Sequence, residues 1–124
     1  MQVIKGSEAP RFELPGLEFT GLVSPSRGSA GLCAWRLTVA PGTAADAPHT
    51  LSEDEVFLVA EGAIRLAPEG DVVAAGDAAV VTAGEPIQLS NAGDGPAVIY
   101  VTIRSGFEAK MADGASIGTP PWAH

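Results

Sequence analysis

The chain has 124 residues, and its 15 acidic and 7 basic side chains give it a formal net charge of -8. Nucleic acids and anionic membranes are bound by clustered Lys and Arg, and here the basic residues are scattered, so neither is expected as a partner. Its length predicts a single domain, residues 1–124, with one hydrophobic core. The 15 glycines and 10 prolines, with 46% hydrophobic residues, favour short strands joined by turns.

The cellular compartment is predicted from two features. Cys33 is the only cysteine, so no disulfide forms within the chain and no oxidising compartment is required. The first residues, MQVIKGSEAP, do not resemble a secretion signal, and no apolar run reaches the roughly 20 residues of a membrane span. We therefore expect a cytoplasmic protein.

Two segments are typical of strands with a buried face. In residues 32–40, two-residue alternation places Cys33, Trp35, Leu37 and Val39 on one face. Residues 55–61 are apolar on both faces, which is typical of a central strand. Glu55 shares a face with Phe57 in this strand and is therefore expected to point into the core.

The remaining strands are short and are separated by turn-forming residues. We predict them at residues 63–67, 71–74, 78–81, 87–91 and 97–103. Gly62 permits a tight turn, so the strand at 63–67 is expected to return antiparallel to the one before it. Residues 108–112 are predicted to form one helical turn. Turn signals at this spacing favour an all-β, antiparallel sandwich or barrel.

Both ends of the chain are predicted to be arms. The N-terminal arm, residues 1–22, carries four large apolar side chains between prolines and glycines, and the C-terminal arm, residues 106–124, contains Pro120-Pro121-Trp122. Each arm is expected to cover the barrel of its own subunit or of a neighbour.

Two spaced motifs lie between the arms. Gly42, Glu55 and Gly62 match the first, G-x5-H-x-H-x3 or x4-E-x6-G; Gly76, Gly84 and Asn91 match positions of the second, G-x5-P-x-G-x2-H-x3-N. Over residues 35–103 the chain resembles the single-domain cupins. The resemblance implies a jelly-roll β-barrel, also called a double-stranded β-helix.

The family's metal ligands are largely replaced. Its first-motif histidines fall on Pro48 and Thr50, or with the shorter spacing on His49 and Leu51, and its second-motif histidine falls on Ile87. Transition metals in such barrels rely mainly on imidazole nitrogens, and the only other histidine is His124. We therefore predict no metal cofactor. A substitute site is the alternative, and its candidate ligands are His49, Glu53, Glu55 and Gln88.

His49 and Glu55 are the candidate catalytic residues. Five residues separate them across a turn, so an antiparallel arrangement could bring the two side chains together. A carboxyl group among apolar side chains has a raised pKa, whereas an adjacent imidazole favours its charged form. The pair is suited to proton transfer. The alternative is a structural hydrogen bond that holds the mouth of the barrel together.

Other candidates would line a pocket. Arg36 lies opposite Trp35 on its strand and Gln88 opposite Ile87, so Gln88 would face the pocket only at a bulge. Arg36 and Arg104 could instead be solvated or dimer-facing cations. The candidate binding residues are Trp35, Phe57, Ile87, Leu89, Tyr100, Arg36 and Gln88, each with a plain core or surface role as the alternative.

Three functions remain open at this point, and they leave undecided whether the protein is an enzyme. The first is a cupin that binds a small, largely apolar organic molecule, with metal-independent proton transfer such as isomerisation, cyclisation or elimination. The second, implied by the resemblance, is a metal-dependent oxygenase with substitute ligands. The third is a non-catalytic ligand sensor or structural partner. Strands apolar on both faces also predict a homodimer to which residues 1–22 contribute.

Overall fold

The fold is built almost entirely from short strands. A computed structural model describes residues 1–124, which contain twelve strands and two short 3-10 turns, Pro25–Arg27 and Pro121–Ala123. The strands are β1 (Arg11–Leu14), β2 (Leu17–Val23), β3 (Leu32–Val39), β4 (His49–Leu51), β5 (Glu55–Glu61), β6 (Ala63–Arg65), β7 (Val73–Ala74), β8 (Ala78–Val81), β9 (Ser90–Asn91), β10 (Ala97–Arg104), β11 (Ala109–Met111) and β12 (Ser116–Gly118). The chain has no helix of the length and hydropathy needed to cross a membrane.

The strands form two layers. The first layer is a six-stranded antiparallel sheet in the order β1-β2-β3-β10-β5-β8. The second contains two three-stranded sheets, β12-β11-β4 and β7-β6-β9. Backbone hydrogen bonds between residues 43–49 and 87–91 join these two sheets, including a reciprocal pair between His49 and Ile87. The prediction of an all-β, antiparallel jelly-roll barrel is confirmed.

The core lies between the layers and follows the predicted alternation. Cys33, Trp35, Leu37 and Val39 of β3 are all buried, as their spacing predicts. Strand β5 lies between β10 and β8, which confirms its interior position in the sheet. Its outward-facing Leu58 is nevertheless 46% exposed, so one of its two apolar faces is uncovered within the subunit.

One predicted strand pairing and one predicted helical turn are wrong. Strand β6 pairs with β7 and β9 rather than with β5, because the turn at Gly62, where φ is +73°, carries the chain from the first layer to the second. Residues 108–112 contain strand β11 rather than a helical turn. The segment has strand partners on both sides, β4 and β12, and so short a stretch has no periodicity that separates helix from strand.

The two predicted arms belong to the barrel of their own subunit. Strands β1 and β2 extend the first sheet beyond β3, and β12 extends the second layer. The final residues then cross to β2, where the Trp122 ring stacks on Phe19 with centroids 3.8 Å apart and meets Trp35 edge-on at 6.5 Å. Aromatic contact therefore fixes the C-terminal segment over one opening of the barrel.

Candidate functional site

A cavity of about 550 Å³, partly open to solvent, lies between the two layers. This volume is within the range of small-molecule sites in proteins. Of its 21 lining residues, 16 are hydrophobic, and five of these are aromatic: Phe19, Trp35, Phe57, Phe107 and Trp122. The cavity can therefore accept an apolar molecule with little loss of polar contacts.

Glu55 is the one acidic side chain in the wall of this cavity. It begins β5 between Val81 of β8 and Ile103 of β10, and it is 4% exposed. Burial raises the pKa of its carboxyl group to about 8, and neither a hydrogen bond nor a neighbouring charge contributes to the shift. Near neutral pH most molecules therefore carry a protonated Glu55 that faces the cavity.

His49 lines the same cavity from the second layer. Its backbone pairs with Met111 of β11 and with Ile87, which orients the imidazole inward. Burial lowers the pKa of His49, so the ring is neutral near pH 7. Burial is the cause of the pKa shift at His49 and at Glu55, and neither shift carries a contribution from the other group, although both line the same cavity.

The C-terminal segment supplies the remaining wall. Ile117, Thr119, Pro120, Pro121 and Trp122 all line the cavity. The Thr119 hydroxyl donates to the Phe107 carbonyl oxygen at 2.7 Å.

This segment is tied to the loop between β2 and β3. The Arg27 Nη2 group donates to the Trp122 carbonyl oxygen at 2.8 Å, and the Ser26 amide donates to that of His124 at 2.9 Å. A few polar contacts and the stacked Trp122 therefore hold the last residues against the barrel.

Four predicted binding residues line the cavity, namely Trp35, Phe57, Ile87 and Leu89. The other three lie elsewhere. Tyr100 is 40% exposed and, like its cross-strand neighbour Arg36, points to the outer face, because both alternate with inward-facing residues of their strands. Gln88 lies outside the cavity wall, where its side-chain amide donates to the Ala45 carbonyl oxygen at 3.0 Å.

The two ends of the chain contribute a part of the cavity wall that the motifs do not predict. Phe19, Phe107, Met111 and Trp122 complete the cavity, yet none of them belongs to a motif. The sequence places Trp122 in the C-terminal arm, but only the structure shows that its ring contacts Phe19 and Trp35. Clustered aromatics at both ends of a short chain are the available signal.

The cavity wall does not fit the family's metal ion. His49 and Glu55 are its only imidazole and carboxylate side chains, whereas Ile87 presents hydrocarbon at the position of the family's second-motif histidine. Glu53 and Gln88 are not in the wall, and no group of three or more His, Cys, Asp or Glu side chains is arranged to hold a metal. Two protein donors fall short of the three or four found in transition-metal sites.

Comparisons with known proteins agree with the barrel. The family model described as a cupin domain matches residues 35–103. No curated protein sequence matches the chain.

Three similar solved structures show the range of proteins that share the fold. An RmlC-like cupin protein from Ralstonia eutropha JMP134 is 19% identical, with a TM-score of 0.74 over 98% of this chain and 79% of the other. A cupin-superfamily sugar phosphate isomerase from Silicibacter pomeroyi is 22% identical, with a TM-score of 0.70 over 90% and 82%. A polyketide cyclase from Streptomyces resistomycificus is 14% identical, with a TM-score of 0.74 over 98% and 88%. At these identities the likeness shows the fold alone.

Proposed function

The chain belongs to the cupin family, and from that premise we propose that its barrel binds a small, largely apolar organic molecule and transfers a proton to or from it without a metal ion. The observation that carries the proposal is the buried carboxyl group of Glu55, which faces a 550 Å³ apolar cavity. A functional ligand would occupy the cavity in contact with that group.

Glu55 is suited to act as the acid or base. General acid–base catalysis is most efficient when the pKa of the catalytic group lies near the working pH, because both protonation states are then accessible. Burial brings the pKa of Glu55 to about 8. The carboxyl group can donate a proton to a ligand atom and remove one in the reverse step.

His49 supplies a second, neutral group on the same wall. Its imidazole has a lowered pKa, so it accepts a hydrogen bond at one ring nitrogen and donates one at the other. A ligand that contacts His49 and Glu55 together would be oriented by both. The isomerase and the cyclase among the similar structures carry out reactions that involve rearrangement or ring closure, which is compatible with this proposal.

Deuterium exchange tests the proton transfer. We expect the protein to accelerate the exchange of the α-hydrogens of 2-tetralone, a neutral bicyclic ketone, in D₂O buffer. Glu55→Gln should reduce the acceleration about a hundredfold or more. The control is Glu61→Gln, which removes an exposed carboxylate from the other end of β5 and should exchange at the wild-type rate. Equal rates for wild type and Glu55→Gln would remove Glu55 from the mechanism.

The metal-dependent oxygenase is the alternative, and elemental analysis separates it from the proposal. Protein purified without chelator should contain less than about a tenth of an equivalent of iron, manganese, nickel, copper or zinc. A stoichiometric metal that is lost on His49→Ala would favour the oxygenase. Ligand binding without exchange of any probe would favour the sensor.

We also propose that two copies pair through the outer face of the first sheet. Tyr100 lies opposite Leu58, and Val56 opposite Val80, and three of these four side chains are at least 40% exposed. A second copy would cover this apolar surface. Sedimentation at micromolar concentration should give the mass of two subunits, and Leu58→Asp should give that of one. A single-subunit mass for the wild type would contradict the dimer and the predicted contribution of residues 1–22.

A further inference from the structure

We infer that the ligand of this cavity is an uncharged molecule that presents a carbonyl oxygen to the carboxyl group of Glu55. The inference rests on the proposed function, because it names the class of molecule that the same cavity accepts. Two observations support it: the cavity wall has no cationic side chain, and the buried carboxyl group of Glu55 has no hydrogen-bond partner in its own sheet.

The wall disfavours an anionic ligand. Its polar side chains are His49, Glu55 and Thr119, and the Thr119 hydroxyl already donates to the Phe107 carbonyl oxygen. Neither Lys nor Arg lines the cavity, and burial keeps His49 neutral. A carboxylate or phosphate would lose its hydration here without gaining a cationic partner, which is costly.

Glu55 is positioned as a hydrogen-bond donor. The residues beside it in the sheet, Val81 and Ile103, are apolar, so the carboxyl group finds no partner on its own sheet. A protonated carboxyl group carries one O–H donor, and that donor is satisfied by a ligand oxygen. The other ionisable groups on this side of the sheet are His49, across the cavity, Cys33, on the far side of Ile103, and Arg27, whose guanidinium lies beside Trp122 and outside the cavity wall.

A cationic amine is the strongest rival ligand. Aromatic faces such as those of Trp35 and Trp122 attract cations, and an amine could remove the proton of Glu55 to form an ion pair. That pair would require two charges to lose their hydration inside an apolar cavity, whereas a neutral carbonyl requires none. The surroundings of Glu55 therefore favour the carbonyl.

Four compounds with one bicyclic skeleton separate these classes: tetralin, 2-tetralone, tetralin-2-carboxylate and 2-aminotetralin. Both tryptophans of the protein, Trp35 and Trp122, line the cavity, so quenching of their fluorescence reports binding. At about pH 6.5 we expect 2-tetralone to bind about three- to tenfold more tightly than tetralin, the gain of one hydrogen bond. The carboxylate and the ammonium compound should bind at least about tenfold more weakly than 2-tetralone.

Two variants and a change of pH assign the preference to Glu55. In Glu55→Val the donor is lost, so 2-tetralone and tetralin should bind equally. Glu55→Gln keeps an N–H donor and should retain the preference. Raising the pH to about 9.5 should weaken 2-tetralone binding to the wild type, because Glu55 ionises, and leave binding to Glu55→Gln unchanged.

Three results would overturn the inference: tightest binding of 2-aminotetralin, tightest binding of the carboxylate, or equal binding of tetralin and 2-tetralone to the wild type. Deuterium exchange reports separately on the proposed function. A Glu55-dependent preference for 2-tetralone without exchange would leave the ligand class standing and remove the proton transfer. Exchange together with tighter amine binding would do the reverse.

Discussion

The two faces of β5 and β10 have similar side chains and different surroundings. Facing inward, Phe57 and Val101 are no more than 4% exposed, whereas the outward-facing Leu58 and Tyr100 are 46% and 40% exposed. The inner face also carries the buried acid, Glu55, at the start of β5. Hydrophobic character alone therefore does not identify the face that lines the cavity. The second layer does so, because it covers one apolar face and forms with it the cavity that Glu55 lines.

The largest expected effect is the pH dependence that Glu55 gives to stability. Its pKa is about 8 in the folded protein against an ordinary value of 4.5, so the folded state binds this proton more tightly than the unfolded chain does. The stabilising contribution is complete below about pH 4.5 and is lost as the pH rises through 8. At about 1.4 kcal/mol per pKa unit, the loss reaches at most about 5 kcal/mol.

Urea unfolding at pH 5, 7 and 9 measures this loss. Glu55→Gln should flatten the decline, because the variant has no carboxyl group at this position to ionise. The control is Glu61→Gln, which removes an exposed carboxylate at the other end of β5 and changes the net charge by the same amount. Its free energy of unfolding should decline with pH as that of the wild type does. Parallel curves for wild type and Glu55→Gln would contradict the burial of an unpaired carboxyl group.

Truncation on each face of β5 should give the next largest effect. Phe57→Ala removes a buried ring and should lower the free energy of unfolding by about 3 kcal/mol. Leu58→Ala truncates an exposed neighbour and should cost less than about 1 kcal/mol at low protein concentration. Denaturation at several concentrations sharpens the comparison. A cost at Leu58 that grows with concentration would indicate that a second copy covers the outer face.

A smaller effect is expected at the turn that separates the layers. Gly62 and Gly76 both have positive φ, +73° and +91°, but a Cβ atom at Gly62 would lie 2.7 Å from the Pro96 carbonyl oxygen, whereas Gly76 faces open space. Gly76→Ala should cost about 1 kcal/mol through backbone strain alone, and Gly62→Ala about 2 to 3 kcal/mol. Equal thermal stabilities for the two variants would mean that the chain shifts freely at residue 96.

His49 should have the smallest effect, with the opposite sign to that of Glu55. Because burial lowers its pKa, the folded state binds a proton at His49 less tightly than the unfolded chain does. Its contribution to stability is present above about pH 6.5 and is lost as the pH falls. His49→Gln should therefore lose less stability than the wild type between pH 7 and pH 5, as measured by urea unfolding. A larger loss in the variant would contradict a desolvated imidazole.

The strands of the barrel are largely predictable from the sequence, because alternation on β3 and continuous apolarity on β5 reflect burial directly. The bounds of β5 and β8, residues 55–61 and 78–81, are those predicted. The pairing of β6 could not be predicted, since a glycine turn is compatible with both a hairpin and a passage between layers. Strand β11 could not be predicted either, because three residues are too few to show the two-residue alternation of a strand.

The candidate site was predictable in its parts but not in its arrangement. The alternation of β5 predicts the inward position of Glu55. Comparison with the cupin motif predicts that Ile87 replaces the family's second-motif histidine. The pairing of His49 with Glu55 stays a prediction: the two residues line one cavity from opposite layers, and burial alone shifts the pKa of each. Tyr100 is a predicted cavity residue, whereas the alternation of buried and exposed residues along β10 places its side chain on the outer face.

Cys33 lies beneath the C-terminal segment, so the reactivity of its thiol reports local opening of the structure. The side chain is fully buried, its thiol donates to the Ala123 carbonyl oxygen at 3.4 Å, and burial raises its pKa despite the opposing charge of Arg27. A thiol-alkylating reagent can reach this sulfur only when the structure opens locally, and the segment around Ala123 is in contact with it. Because the chain has a single cysteine, its alkylation rate reports this opening, and a compound bound beside Trp122 should slow it.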